Sequence, residues 1–304
     1  MSAEKLGGDG RLVVGSADNF FLWSPQGWDL THPSSPSAAP IESGVSLQCA
    51  LGPVTFDPAK TALVIVDMQN FSISTALGND HEEAYFAAQD VLLKLGIPAA
   101  RKLNLQVIWL NWGLTEEELK TITPGAARVF GFTSQPAEEQ KQGETGPQEE
   151  HPTGRGPGAD LGRVTLDDGQ VVDAGRALMR GTWNVELHGP LLPAFHEGQA
   201  ARRPDVLVHK NRNSGLWDST CDCMQYLKTA GIRTLLFAGM NTDQCVMGTL
   251  QDAHHRGFDT IMLHDACATN SPTFAQDSAK YNCQCSYGFL SSCEALAAAA
   301  DQDA

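Results

Sequence analysis

Residues 235–246 read LLFAGMNTDQCV and run directly into MGTLQDAHHRG at 247–257. The first half is a continuous apolar run of strand character that closes on Gly239 and a short polar turn. The second half has the spacing of a helix that stops at Gly257. A buried strand that passes into a helix through a tight turn is the unit from which parallel α/β sheets are built. Cys245 falls where the helix begins, beside unpaired N–H groups and the positive end of the helix dipole. That position favours a lowered pKa, whereas a lone free cysteine elsewhere is most often a small buried apolar residue. Both readings of Cys245 stand at this point.

The same alternation extends in both directions. TALVIVD at 61–67 is a buried strand that stops at an acid, LQVIWL at 105–110 is a second, and DVLVHK at 205–210 is a third with a lysine at its end. DTIMLHDA at 259–266 follows the helix, and GFL at 288–290 supplies a short sixth strand. A helical segment at 81–103 carries a break at Gly96-Ile97-Pro98, Thr115 and Glu118 form a capping box, Ser219 or Thr220 caps a helix to Ala230, and Ser292 caps a final alanine-rich helix. Strands and helices in this rhythm predict a three-layer α/β/α fold around a parallel sheet with right-handed crossovers. Ligands then bind at the carboxyl ends of the strands.

That rule gathers Asp67, Lys210 and Cys245 on one edge, each at the end of a different strand. Singly they read as a strand-end cap, a solvated lysine and a core residue; together they supply a proton acceptor, a charge to hold thiolate and carboxylate, and a nucleophile. Residues 1–57 read as an irregular arm rich in Pro, Ser and Gly. Its apolar patch NFFLWSPQGWDLTHP at 19–33 must be covered by this domain or a neighbouring subunit, with arm exchange in a homo-oligomer, a dimer or tetramer, as the expectation. Residues 58–304 form the main domain. Within it RVTL-DDG-QVVD at 163–173 is a small hairpin, and a polar insertion at about 133–162 reads as a mobile cover near the site entrance.

The formal net charge of -15 excludes nucleic acid and anionic membrane as partners, because both require a basic face. A small molecule is the expected partner. No basic leader with an apolar run opens the sequence and no stretch reaches spanning length, so a cytoplasmic location is expected, with the eight cysteines as reduced thiols. The pairs Cys221/Cys223 and Cys283/Cys285 lack the Cys-x-x-Cys spacing and the His pair of zinc sites; no metal and no cofactor are expected.

The segments TALVIVDMQN at 61–70, VHKNRNSGLWDSTCDCMQYL at 208–227 and GIRTLLFAGMNTDQCVMGTLQDAHHRGFDTIMLHDACAT at 231–269 resemble the three signature blocks of the isochorismatase-like cysteine hydrolases. The ureidoacrylate amidohydrolase branch is also resembled at residues 210–215, at Gly-Thr-Trp-Asn 181–184 and at PTFAQDSAKYN 272–282, the likeness covering about 58–298. The resemblance implies a six-stranded Rossmann-like sheet in the order 3-2-1-4-5-6, an Asp67-Lys210-Cys245 triad, and hydrolysis of a carbon–nitrogen bond through a thioester-type intermediate. It implies backbone N–H groups of Asn241 and Cys245 as the oxyanion donors, a cis bond between Met240 and Asn241, and substrate contacts at Asn111, Trp112 and Trp183. Arg212 is either a partner for a substrate carboxylate or a solvated surface residue.

Two departures stand out. Phe71 follows Asn70 where many relatives carry an acid, which changes the pocket floor, and Asn111-Trp112-Gly113 replaces the Asp-x-His metal motif of relatives acting on nicotinamide, which argues against a nicotinamidase. Two rival readings remain: an isochorismatase-type enol-ether hydrolase, which needs no nucleophile, and a non-catalytic binding protein that keeps the fold.

Overall fold

The computed structural model describes residues 11–16, 18–38, 41–79, 82–130 and 156–302. Five short strands come first: β1 (Leu12–Gly15), β2 (Phe20–Ser24), β3 (Gly27–Asp29), β4 (Val45–Cys49) and β5 (Gly52–Phe56). They form one sheet in the order β1-β2-β3-β5-β4, so the described part of the expected irregular arm, from Leu12 to Phe56, carries regular strands. In β4, Val45, Leu47 and Cys49 are buried while Ser46 and Gln48 are exposed, the period-two alternation of a half-buried strand. Runs of three to five residues broken by Gly and Pro are too short for that period to stand out in a composition-led reading.

This sheet is covered by its own chain. Val45, Leu47, Val54 and Phe56 share a core with Leu63, Ile65 and Trp109 of the main domain. Phe21 and Trp28 pack on Phe289 with ring centroids 6.2 and 6.0 Å away. The Ala50 N–H donates to the Leu290 carbonyl, the Ser291 hydroxyl to the Gln48 carbonyl, and His32 Nε2 meets Asp259 Oδ2 at 2.7 Å. The aromatic patch therefore packs against its own chain.

The main sheet contains β6 (Thr61–Val66), β7 (Gln106–Trp112), then, after the hairpin of β8 (Arg163–Thr165) and β9 (Val171–Asp173), β10 (Val206–Lys210), β11 (Thr234–Met240), β12 (Asp259–Ala268) and β13 (Phe289–Ser291). Its order is β10-β7-β6-β11-β12-β13 and every pair is parallel. Counted along the chain this is the expected 3-2-1-4-5-6. Alternate residues of β6 enter opposite cores, Leu63 and Ile65 on one face and Ala62, Val64 and Val66 on the other. A strand covered by helices on both sides has no solvent face, which is why it reads as an unbroken apolar run.

Three local expectations shift. At Gly96-Ile97-Pro98 the helix does not break. A π turn, Leu92–Gly96, joins helix Glu82–Val91 to helix Ile97–Lys102, and the Ile97 N–H donates to the Leu92 carbonyl. Pro98 falls in the first turn of the second helix, where its missing N–H costs least. The helix after Lys210 starts at Asp222, beyond Ser219 and Thr220, because the Thr220 hydroxyl is held by Asp218 Oδ1 at 2.6 Å. Of the polar insertion, residues 131–155 lie outside the described residues, but 156–162 are tied to the following loop: Gly158 N–H donates to the Ala177 carbonyl and Leu161 N–H to the Gly175 carbonyl. The capping box at Thr115 and Glu118, the β8–β9 hairpin and the Ser292 cap of helix Cys293–Gln302 are present as expected.

Candidate active site

Four adjacent strands, β10, β7, β6 and β11, each deliver a residue to the carboxyl edge of the sheet. Asp67 follows β6, Trp112 ends β7, Lys210 ends β10, and Asn241 follows β11 through a cis bond from Met240, as expected. Cys245 sits in the first turn of the helical run that follows, a π turn Thr242–Val246 leading into helix Met247–His255. Gly239, one residue before the end of β11, has φ +117°, and a Cβ there would run into the Val66 carbonyl. The absent side chain lets β6 and β11 approach just before their functional ends. Asp67 has φ +52°, a left-handed conformation that Asp tolerates better than most residues.

Lys210 Nζ lies 2.9 Å from Asp67 Oδ2, 3.4 Å from Cys245 Sγ and 3.1 Å from the Arg212 carbonyl. These contacts use all three ammonium donors, and the charge also sits 4.0 Å from the centre of the Trp112 ring. The Trp112 backbone N–H donates to Asp67 Oδ1 at 3.0 Å, and the Asp67 carboxylate hydrogen-bonds with the Cys245 side chain. The three residues expected from separate strand ends are thus one contiguous, buried group.

Burial dominates the electrostatics. It pushes the Cys245 thiol up to about 12; Lys210 pulls it back and the Asp67 carboxylate pushes it further up. This corrects the expectation of a lowered thiol pKa: removing water from the sulfur outweighs the helix terminus and the lysine. Burial also raises Asp67, against the opposing pull of Lys210. Burial thus disfavours the charged form of both groups and makes each a stronger base once ionised.

A cavity of about 520 Å³, within the range of small-molecule sites, opens onto this group. Asp67, Cys245, Asn241, Trp112 and Phe71 line it, so these expected residues come together. Lys210 lies behind them, held by Asp67 and Cys245, and Asn111, Trp183 and Arg212 do not reach the cavity. Asn111 is fully buried behind the wall with its Nδ2 on the Val185 carbonyl, and Trp183 lines a separate cleft beside Phe86 and Asp167. Arg212 turns to the Asn211 and Thr121 carbonyls and the Trp217 ring, away from the cavity lining. Sequence reasoning missed Tyr85, Arg128, Phe130 and Asn270 on the wall. Tyr85 donates to Asn241 Oδ1 at 3.1 Å. Arg128 and Phe130 close the helix Pro124–Val129, whose start was legible in Thr123-Pro124, an N-cap before an N1 proline. Among the described residues no group of three or more His, Cys, Asp or Glu is placed to hold a metal ion, and Cys221 is engaged by the Gly215 and Asp218 carbonyls.

An all-parallel sheet in this order, with an acid, a lysine and a cysteine converging on its carboxyl edge, is the arrangement implied by the signature blocks, and the chain belongs to the isochorismatase-like cysteine hydrolase family. Residues 170–287 match the isochorismatase domain. The chain is 30% identical over 264 residues to the ureidoacrylate amidohydrolase RutB of Stutzerimonas stutzeri (strain A1501), covering 84% of this chain and 90% of that protein. It is 26% identical over 268 residues to the protein of the same name from Rhizobium rhizogenes (strain K84), covering 86% and 91%. A cysteine hydrolase from Pseudomonas syringae pv. phaseolicola 1448A shares the fold, with a TM-score of 0.55 at 18% identity over 82% of this chain and 95% of that one.

Proposed function

We propose that this hydrolase is a cysteine-dependent amidohydrolase that cleaves a carbon–nitrogen bond of a small ureide, carbamoyl or amide substrate, with Asp67, Lys210 and Cys245 as its catalytic residues. One observation carries the reading: a single lysine nitrogen bridges a buried carboxylate and a buried thiol at the floor of a small-molecule cavity. The likeness to two ureidoacrylate amidohydrolases supports it.

Because burial favours the thiol form of the sulfur, proton loss accompanies attack. Asp67 takes the proton as Cys245 Sγ bonds to the substrate carbonyl carbon, and the oxyanion collects the backbone N–H groups of Asn241 and Cys245. Asp67 passes that proton to the leaving nitrogen and the carbon–nitrogen bond breaks, releasing ammonia or an amine and leaving an acyl- or carbamoyl-thioester. Water, deprotonated by Asp67, attacks the thioester; the acid product departs and the thiol reforms. Lys210 holds the thiolate and carboxylate in register.

Ammonia release across ureides, carbamates and primary amides tests the reaction class, and mass spectrometry of the rapidly quenched enzyme tests the intermediate. The expected result is turnover with a mass adduct on the Cys245 peptide, both abolished by Cys245→Ala. Wild-type hydrolysis by that variant refutes the mechanism.

A further inference from the structure

A second group of charged and aromatic residues gathers at the opposite edge of the main sheet from the triad. Arg233 immediately precedes β11, Phe258 immediately precedes β12, and Lys228 lies in the last turn of the helix Asp222–Thr229. With Arg256 they line a cavity of about 310 Å³ whose lining carries no acidic residue. On a chain with 21 Lys and Arg against 36 Asp and Glu, three cations around one cavity run against the balance of charge. None of the three forms an ion pair among the described residues, and Lys228 has no hydrogen-bond partner among them either. Neutral oxygens hold the other two. Arg256 Nε and Nη2 donate to the Leu216 and Trp217 carbonyls, and Arg233 Nη2 donates to Asn19 Oδ1 at 2.7 Å. Arg256 acts on the exposed Asp218 only at longer range. The guanidinium groups are thus fixed in place while their positive charge stays uncompensated.

A second cavity, of about 430 Å³, adjoins the first, for Gly257 and Phe258 line both. Its walls include Phe20, Phe21, Trp28, Phe258, Tyr287 and Phe289. Asn19 ties the two together: it lines the aromatic cavity, holds Arg233, and donates to the Gly257 carbonyl at 3.2 Å. The acid on this lining, Asp259, is 3% exposed and already satisfied by His32 Nε2 and Thr234 Oγ1, both at 2.7 Å. We propose that the paired cavities form an accessory binding site, separate from the catalytic one, for a planar aromatic compound that carries an oxyanion. The ring lies among the aromatic side chains, and the oxyanion, a carboxylate or a phosphate, meets Lys228, Arg233 and Arg256. Each cavity is of small-molecule size, and neither half of the ligand alone uses both.

Cys285 lines the aromatic cavity and is exposed, whereas Cys221 is half-buried and the other six cysteines are buried. Its alkylation by iodoacetamide in the full chain, read by peptide mass spectrometry, therefore reports occupancy here and not at Cys245. Naphthoate and naphthyl phosphate are expected to protect Cys285, and the better of the two names the oxyanion. Naphthalenemethanol lacks the charge and inorganic phosphate lacks the ring, so each protects about 10-fold less well or worse. Lys228→Gln loses no partner and keeps the wild-type melting temperature; it raises the half-protecting concentration of both anions about 2- to 5-fold. Arg233→Gln raises it about 10- to 100-fold, and Arg233→Lys recovers part of the loss. At about 1 M salt, where the screening length is about 3 Å, protection by the anions weakens and that by the alcohol does not. If Arg233→Gln loses its cooperative melting transition, Lys228→Gln and the salt series decide alone. Equal protection by the neutral alcohol, inorganic phosphate matching naphthyl phosphate, or protection by the anions that neither Gln variant alters overturns the proposal. So does a Cys285 that reacts only on dilution, because a second copy of the chain then covers this face.

Discussion

At the scale of single residues, Lys210 and Asp67 form an ion pair with side chains 1% and 3% exposed. Removing one partner of such a pair strands the other charge without water. Lys210→Met is expected to abolish activity and to cost about 3–5 kcal/mol of stability at neutral pH. The loss shrinks at low pH, where the stranded Asp67 is neutralised by a proton; urea denaturation at pH 7 and pH 5 measures both values. In the proposed mechanism Asp67 must be ionised to accept the thiol proton. Its pKa is raised by burial, so kcat/KM is expected to fall on the acid side with a midpoint above the ordinary aspartate value of about 3.9. A pH–rate profile with an acid limb centred below that value contradicts the assignment. With no cluster of metal ligands among the described residues and a nucleophile that works unaided, exhaustive chelation is expected to leave the rate unchanged.

At the scale of elements, the approach of β6 to β11 is set at Gly239, where both the positive φ and the Val66 carbonyl exclude a side chain. Gly239→Ala is expected to cost about 1–3 kcal/mol from the strained backbone alone, with a further loss in kcat because Val66 directly precedes Asp67. Melting curves together with kcat separate this from a purely structural defect, which lowers stability and leaves kcat intact. The five-stranded N-terminal sheet is part of the same argument. Leu30, Val45, Leu47, Val54 and Phe56 are at most 3% exposed and belong to the main core, so a chain starting at residue 58 uncovers Leu63, Ile65 and Trp109. Such a truncation is expected to bind a hydrophobic dye and to lose its cooperative melting transition, where removal of a mere arm leaves both unchanged.

At the scale of the whole molecule, the thiols form a distributed alkaline liability. Burial pushes Cys49, Cys245 and Cys283 up to about 12, and Cys223, Cys267 and Cys293 are also raised. A folded pKa above the unfolded value means that stability is fully present below the unfolded value, about 8.5, and is lost as pH rises toward the folded one. Each such thiol contributes a slope of about 1.4 kcal/mol per pH unit in that window. The free energy of unfolding is therefore expected to fall steeply from pH 8.5 to 10, and Cys283→Ala to flatten that slope by one thiol's share, whatever constant cost its cavity adds. Denaturant titrations across the window check the sign and the steepness.

What was readable from the residues alone was the main sheet, its six strands and the meeting of Asp67, Lys210 and Cys245. In a parallel sheet buried on both faces each strand is a continuous apolar run, and the polar residue that ends the run marks the functional edge. The signature blocks added the strand order and the cis bond at Met240-Asn241, both as the structure has them. The N-terminal sheet was hidden because its short strands acquire their meaning only from the core they cover. The ionisation of Cys245 is a tertiary matter, because a helix terminus is visible in sequence, whereas the loss of water around a residue only 8% exposed is not. Which arginine reaches the cavity is also a tertiary matter. Arg212 lies two residues from Lys210 in the chain, yet among the described residues Arg128 lines the cavity and Arg212 turns to the Thr121 carbonyl, because side-chain direction is set by how helices and loops pack over the sheet edge.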